Sequence, residues 1–416
     1  MTDSPISAEA DRCVKCGFCL PACPTYRLSR DEAESPRGRV ALIQALAEGQ
    51  LRDHWRLRGH IDRCLECQAC ETVCPSGVRV TTLVDAARVM HRRRLPRLAR
   101  WPRQLLLLAL SEARLHGPLF AVVRRLQHTG MLDRLTRRLL GTGRLARLYR
   151  LLPSVGLSQS RETRYLPPGS AVGALSLFTG CVAQRTEPEV TTAAIRVLNR
   201  LGFAVHLPAE QVCCGAMHQH NGESGAAHRL ALRNLDAFSD AAGRPILVTA
   251  SGCASHLKAY PALESLVGDL RVEGFARRVS DISRFLCQVP WPQNVTLAPL
   301  PARVAVHDPC SLRNALGQED GPYELLRKIP GVCVYGLPGN ELCCGAAGTY
   351  LLQQPEMSAA LGEAKIESLR QHPPDVLITS NPGCALQLRA GIKAAGLDIE
   401  VMHPVQLIDR QMGLTS

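Results

Sequence analysis

At 416 residues, with 46% apolar residues, the chain has enough material for several packed domains. Its formal charge of +12 suits an acidic partner, an anionic lipid surface or nucleic acid, but aromatics at 4% leave few stacking platforms for single strands. The 18 cysteines cluster by motif, which argues against a disulfide framework.

The N-terminus, Met1-Thr-Asp-Ser-Pro-Ile-Ser, has neither a basic n-region nor an apolar h-region, so no signal peptide is expected. No apolar run approaches the ~20 residues that span a bilayer. A cytoplasmic location is expected, with peripheral contact on the inner face of the membrane as a further option.

The first motif is Cys13-Val-Lys-Cys16-Gly-Phe-Cys19-Leu-Pro-Ala-Cys23-Pro24, and the second is Cys64-Leu-Glu-Cys67-Gln-Ala-Cys70-Glu-Thr-Val-Cys74-Pro75. Both follow C-x2-C-x2-C-x3-C-P, the ligand run of a two-cluster ferredoxin, in which the fourth cysteine serves the other cluster. The spacing therefore assigns Cys13, Cys16, Cys19 and Cys74 to one 4Fe-4S cluster. Cys64, Cys67, Cys70 and Cys23 are assigned to the second. Zinc sites use cysteine pairs separated by longer loops, and disulfides need an oxidising compartment, so neither fits these runs. Two such clusters, each about −2 when oxidised, would lower the net charge to roughly +8.

Between the runs, Ser35 as N-cap, Pro36 at the first helical position and Gly49 past the end delimit a helix. Val40, Leu42, Ile43, Leu46 and Ala47 recur along it at helical spacing. Arg37 and Arg39 at its start are expected either to face the clusters or to be solvated. His60 and Asp62 are expected to be structural. A second helix is predicted from about Thr81 to Arg94.

From His91 to Arg150 the chain is strongly basic, with Glu112 and Asp133 as its acids. The apolar stretches Leu105–Leu110, Val122-Val123 and Leu139-Leu140 are separated by Pro96, Pro102, Pro118 and glycines, a pattern of short amphipathic helices. Docking of a partner subunit is the leading reading, peripheral membrane contact the second, and nucleic acid is disfavoured. A linker rich in Ser, Pro and Gly is expected from Pro153 to Ser170.

An internal duplication follows. Cys181, Cys213-Cys214-Gly215 and Cys253 recur as Cys310, Cys343-Cys344-Gly345 and Cys384, about 130 residues later. Strand-like runs lead into the first and last cysteine of each copy, and helical patterns at Glu189–Leu201 and Ser358–Leu369 lie between them. The Pro-rich stretch Gln288–Ala302 separates the copies. The fold class expected is α+β multidomain: an α-helical two-cluster ferredoxin module (1–95), a basic helical connector and linker (96–170), and two duplicated α/β cysteine-rich domains (171–290 and 303–416).

The N-terminal module resembles the α-helical ferredoxin domain of succinate dehydrogenase iron–sulfur subunits. The Cys-Cys-Gly repeats resemble those of heterodisulfide reductase and anaerobic glycerol-3-phosphate dehydrogenase subunits. The combination with Glu34-Ser-Pro-Arg-Gly-Arg39 is most similar to the family of glycolate oxidase iron–sulfur subunits. That resemblance implies a complex in which flavoprotein subunits oxidise glycolate to glyoxylate and this chain passes electrons to an acceptor other than oxygen, with quinone expected. Glycerol 3-phosphate or lactate as the donor, or a catalytic disulfide reductase, are the alternatives.

No G-x-G-x-x-G opens a helix after a strand, so flavin is expected on a partner and no catalytic residue is assigned here. The repeats depart from the family's final Cys-x-x-Cys, reading Cys253-Ala-Ser-His256 and Cys384-Ala-Leu-Gln387. Further metal at Cys181, Cys213, Cys214 and Cys253, and at Cys310, Cys343, Cys344 and Cys384, is balanced against buried structural thiols. His256 is an additional candidate ligand. His218, His220 and His307 are expected to be supporting or surface residues, and Cys287 and Cys333 ordinary buried cysteines.

Overall fold

The computed structural model describes residues 5–112, 162–239 and 243–414. Val122-Val123, Leu139-Leu140 and most of the basic stretch lie outside the described residues. Among the described residues, no helix is long and apolar enough to cross a membrane.

The N-terminal module is helical. Its central helix, Pro36–Ala47, begins where Ser35 accepts a hydrogen bond from the Gly38 amide and ends ahead of Gly49, whose φ of 76° suits a residue without Cβ. Val40 and Ile43 from this helix pack with Ile61 of Trp55–Asp62 and with Leu83, Val84 and Ala87 of Val80–Arg94. A further helix spans Arg97–Ser111 with Pro102 inside it, so this proline does not separate two helices as its position in the sequence suggested.

Two sheets follow. The first contains β1 (Arg164–Tyr165), β2 (Gly173–Phe178), β3 (Phe203–His206), β4 (Ile246–Val248) and β5 (Val279–Asp281), in the order β1-β3-β2-β4-β5. All neighbours are parallel except β1, an antiparallel edge strand drawn from the stretch expected to be linker. The second sheet is wholly parallel: β6 (Arg303–Val306), β7 (Cys333–Gly336), β8 (Val376–Ile378) and β9 (Glu400–Met402), in the order β7-β6-β8-β9. Removing β1 leaves the same order in both. β4 and β8 are apolar and buried along their length, and β2 and β6 are buried after their first residues, as helix-covered parallel sheets require.

In each sheet the chain runs from its first parallel strand to one neighbour and then crosses back to the other side. The crevice where that order reverses, at the carboxyl ends of β2 and β4 and of β6 and β8, is where such sheets place their sites. The duplicated cysteines lie there. Cys181 and Cys310 follow β2 and β6, while Cys253 and Cys384 sit in the first turns of helices Ser251–Lys258 and Pro382–Ala395 that follow β4 and β8.

The repeats share one core, which joins Leu175, Val190 and Leu198 of the first to Val306, Leu325 and Ile408 of the second. Polar contacts reinforce it. Arg196 pairs with buried Asp409, Arg389 pairs with Glu187 at 2.8 Å, and the His403 ring contacts the Thr249 carbonyl at 2.8 Å. Cys333 corrects an expectation: it opens the edge strand β7 and faces solvent, whereas Cys287 is half-buried against the Gly321 carbonyl.

Asp281 ends β5 and caps helix Ile282–Gln288, accepting from the Ser283 amide at 2.8 Å. Burial pushes its carboxyl up to about 6, against the backbone hydrogen bonds that favour ionisation. The folded state therefore holds this proton more tightly than the unfolded chain does, and the resulting stability is lost as pH rises through about 6. Asn retains the cap without the titration. Between about pH 5 and about pH 8, wild type should lose roughly 1 kcal/mol relative to Asp281→Asn in denaturant unfolding; parallel profiles would contradict this.

Candidate metal centres

Each cysteine run wraps a loop by alternating backbone handedness. Lys15 and Gly17 have φ of 57° and 90°, and the equivalent Glu66 and Gln68 have φ of 52° and 60°. Three of these four carry side chains in a region that disfavours them, at a cost of about 1–2 kcal/mol each. Such strain persists where the surroundings fix it, and here it turns successive cysteines toward one interior.

Two cysteine-lined cavities result. Cys13, Cys16, Cys19 and Cys74 line one, with Arg37 at its wall. Cys23, Cys64, Cys67 and Cys70 line the other, with Arg39 at its wall. The fourth cysteine of each run thus lies in the cavity built by the other run, which is the exchange the motif requires.

Arginines supply the positive charge. Arg37 donates to the Lys15 carbonyl at 3.1 Å and pairs with Glu32 at 2.6 Å. Arg39 is 1% exposed, donates to Thr25 Oγ1 at 3.1 Å and to the His60 carbonyl at 2.8 Å, and brings Nη1 to 3.9 Å from Cys23 Sγ. Its charge is balanced by buried Glu34 at 2.6 Å, whose other oxygen takes His60 at 2.7 Å and Arg63. His60 thus takes part in the ion-pair network around Glu34.

Burial pushes the thiols of Cys64, Cys67 and Cys70 up; Arg39 and Arg88 oppose the effect at Cys64. A metal ion bound there supplies the charge that favours thiolate over thiol.

Arg88 was not singled out by its sequence. It is buried and donates to the carbonyls of Ile61 (3.2 Å), Cys64 (2.8 Å) and His220 (2.8 Å), so one guanidinium orients the second cysteine loop and ties it to the first repeat. Glu66 lies against both Arg88 and His220. Gly222 permits this approach: a Cβ there would stand 2.6 Å from the Arg88 carbonyl oxygen. On the other side, Asn314 donates to the Cys67 carbonyl at 2.7 Å and Tyr350 to the Arg63 carbonyl at 3.1 Å. The loop Arg63–Cys70 is thus held between the two repeats.

Within the repeats the cysteines converge. Cys181 and Cys213 sulfurs are 3.3 Å apart, Cys310 and Cys343 4.0 Å, and Cys344 and Cys384 3.2 Å. The motif glycines have φ of 96° and 85°, and a Cβ on Gly345 would come within 2.7 Å of the Ser358 carbonyl oxygen. The Gly345 amide and Asn381 Nδ2 each donate to a cysteine sulfur at 3.4 Å. Cys214 and Cys253 pack at the edge of the apolar core formed by Phe178, Leu257 and Tyr260.

Of the two roles expected for His218 and His307, supporting or surface, burial excludes the surface one. His218 Nε2 meets Ser111 Oγ at 3.1 Å, and His307 is 1% exposed beside Cys344 and Cys384. Both lie far in sequence from those partners, so local spacing carried no sign of it. His220 is half-buried against Asp85 at 3.2 Å.

Residues 9–78 match the model of the 4Fe-4S dicluster domain, and residues 175–258 and 304–389 each match the cysteine-rich domain. Over 96% of its length the chain is 30% identical to the probable glycolate oxidase iron–sulfur subunit of Bacillus subtilis, covering 93% of that protein. It is also 30% identical to the glycolate oxidase iron–sulfur subunit of Escherichia coli, over 99% of this chain and 97% of that one. The chain belongs to the glycolate oxidase iron–sulfur subunit family. Similarity extends to lactate utilization protein A of Bacillus cereus, 29% identical over 56% of this chain and 98% of that protein.

Members of this family are iron–sulfur electron-transfer subunits of oxidoreductases, and the cavities have the donor set such clusters need. Bound clusters supply one-electron transfer without bond-making. The protein's residues hold them, exclude water and set their potentials through charge and hydrogen bonds.

Arg39→Met is expected to lower the reduction potential at the Cys23, Cys64, Cys67 and Cys70 cavity and to cost roughly 3 kcal/mol, because it leaves Glu34 buried with less compensation. Arg37→Met, whose side chain is far more exposed, should cost less stability than Arg39→Met. EPR-monitored redox titration with thermal unfolding reads both; an unchanged potential in Arg39→Met would refute the electrostatic role.

Proposed function

We propose that Cys13, Cys16, Cys19 and Cys74 ligate one 4Fe-4S cluster, and that Cys64, Cys67, Cys70 and Cys23 ligate the second. The observation carrying this reading is the exchange of Cys23 and Cys74 between the two cavities. The two clusters form a relay for electrons from glycolate oxidation, which a flavoprotein partner carries out to give glyoxylate. Quinone is the acceptor. The chain works in the cytoplasm, against the inner face of the membrane where its partners reach that quinone.

Support for glycolate as the donor is the near full-length similarity to glycolate oxidase iron–sulfur subunits. Lactate is the second reading, favoured by the similarity to lactate utilization protein A. For partner contact, the support is the row Leu98, Trp101, Leu105 and Leu108, exposed at helical spacing on the Arg97–Ser111 helix within the basic stretch. The four cysteines of each repeat hold further iron; the converging sulfurs and their hydrogen-bond donors support this.

The test uses the complex isolated anaerobically with its partners. Addition of glycolate should bleach the visible iron–sulfur absorbance, and glycerol 3-phosphate should not. Bleaching by lactate alone would keep the relay and replace the donor. In Cys67→Ser, glycolate should still reduce the partner's flavin while quinone reduction is lost. Normal quinone reduction by that variant would rule out the relay through this cavity.

A further inference from the structure

The two repeats share their scaffold but differ at the residue three positions before the first cysteine. Phe178 stands there in the first repeat and His307 in the second. Phe178 ends β2 and packs among Cys214, Phe238 and Tyr260, so the first repeat has an apolar ring at this place.

His307 follows β6 and is fixed at both its backbone and its ring. Its amide donates to the Ile378 carbonyl at 2.8 Å, and Nδ1 lies 3.1 Å from Thr379 Oγ1. Nε2 is fully buried and has no hydrogen-bond partner. One ring nitrogen of His307 and the sulfurs of Cys344 and Cys384 lie within 4.8 Å of one another. Among the described residues, such a gathering of a ring nitrogen with two sulfurs does not recur in the first repeat.

A buried imidazole nitrogen without a partner is costly, and Nδ1 held by a second group is the arrangement that leaves Nε2 to a metal. We infer that His307 Nε2 is a ligand of the metal centre held by Cys310, Cys343, Cys344 and Cys384, giving the second repeat a mixed nitrogen–sulfur site that the first repeat lacks. The inference rests on the proposal that the repeats hold iron.

The chemistry of the site follows from the exchange of ligand. Gln387 stands where the family pattern has its last cysteine, and it is engaged elsewhere, donating to the Ser358 carbonyl at 2.9 Å. His307 completes the set from the end of the neighbouring strand, β6. Compared with the family's final cysteine thiolate, a neutral imidazole leaves the centre one negative charge less, which raises its reduction potential, as histidine ligation does in Rieske centres. Lys365, 2% exposed and near Cys343 and Cys344, acts in the same direction. This centre adjoins the second ferredoxin cavity: Cys67 packs with Cys310 and Cys343, and Asn314 holds the Cys67 carbonyl. The second repeat is therefore the one placed to take an electron from that cavity.

The test is pulsed EPR on the anaerobically purified full-length protein, unlabelled and grown with 15N-histidine, with iron counted per chain. A nitrogen coupling that changes with the isotope, on a signal distinct from those of the two ferredoxin clusters, is expected. His307→Phe, which copies the first repeat, should lose that coupling and leave the ferredoxin signals unchanged. His307→Cys should retain the iron and shift the potential of the centre downward. Because the wild-type isotope comparison needs no variant, a folding defect in His307→Phe would not rescue the inference.

Two results overturn it, and they are distinguishable. If Cys384→Ser removes iron but wild type shows no isotope-sensitive coupling, or the coupling survives His307→Phe, the repeat holds metal without this ligand. If iron never exceeds that of the two ferredoxin clusters and Cys384→Ser leaves it unchanged, the proposal of metal in the repeats fails and His307 loses its role with it.

Discussion

Burying thiolates is the constraint on which the rest of the structure depends. A cluster with four thiolates is an anion, and an anion out of water needs positive charge and hydrogen-bond donors within the same volume. Arg39 meets this need at the second cavity, but a buried guanidinium is itself costly and needs its own balance. Glu34 provides it, and Arg63 with His60 occupies the remaining oxygen. Two arginines against one carboxylate leave a net positive charge facing Cys23 and Cys64. The helix Pro36–Ala47 exists to carry Arg39 to this depth, and its N-terminal cap at Ser35 fixes where the arginine emerges.

The same reasoning explains why the ferredoxin module is docked rather than tethered. Arg88 gives its donors to carbonyls of the cysteine loop and to the His220 carbonyl of the first repeat, so its burial is satisfied only when the two parts are assembled. Asn314 and Tyr350 do the equivalent for the second repeat through the Cys67 and Arg63 carbonyls. Backbone carbonyls in a loop with left-handed residues cannot join a helix or sheet, and the side chains of Arg88 and of the second repeat take them up instead. The loop's strained shape and the closeness of the repeats are two consequences of one accounting of hydrogen bonds.

How much of this was legible in the sequence depends on whether the signal was local. The two cysteine runs, the helix bounded by Ser35 and Gly49, and the duplicated strands were readable because spacing and capping act within a few residues. The division of Cys23 and Cys74 between cavities was readable because the motif carries it. Arg88 was not, since it meets partners from other elements and sits in no repeating pattern; His307 was noted in the sequence, but its approach to Cys344 and Cys384 was not legible there. Cys333 misled for the opposite reason: its apolar neighbours suggest burial, but β7 is an edge strand whose first side chain faces out. Pro102 suggested a break, yet the Arg97–Ser111 helix accommodates it.

Duplication gave two sheets with the same strand order, the same crevice and the same left-handed Cys-Cys-Gly turn. What a scaffold of this kind holds constant is the placement of four sulfurs; what it leaves free is the residue at the end of the central strand and the one in the first turn after the last cysteine. The first repeat fills these places with Phe178 and His256, the second with His307 and Gln387. His256 Nε2 points toward the backbone of Gly215, whose missing Cβ would sit 3.5 Å away, while its ring edges onto His220 and Tyr260. His307 instead reaches the sulfurs from the strand side. A pair of sites that began alike can differ in their donor sets through two side-chain exchanges, because the sheet topology fixes the sulfurs independently of what occupies those two positions.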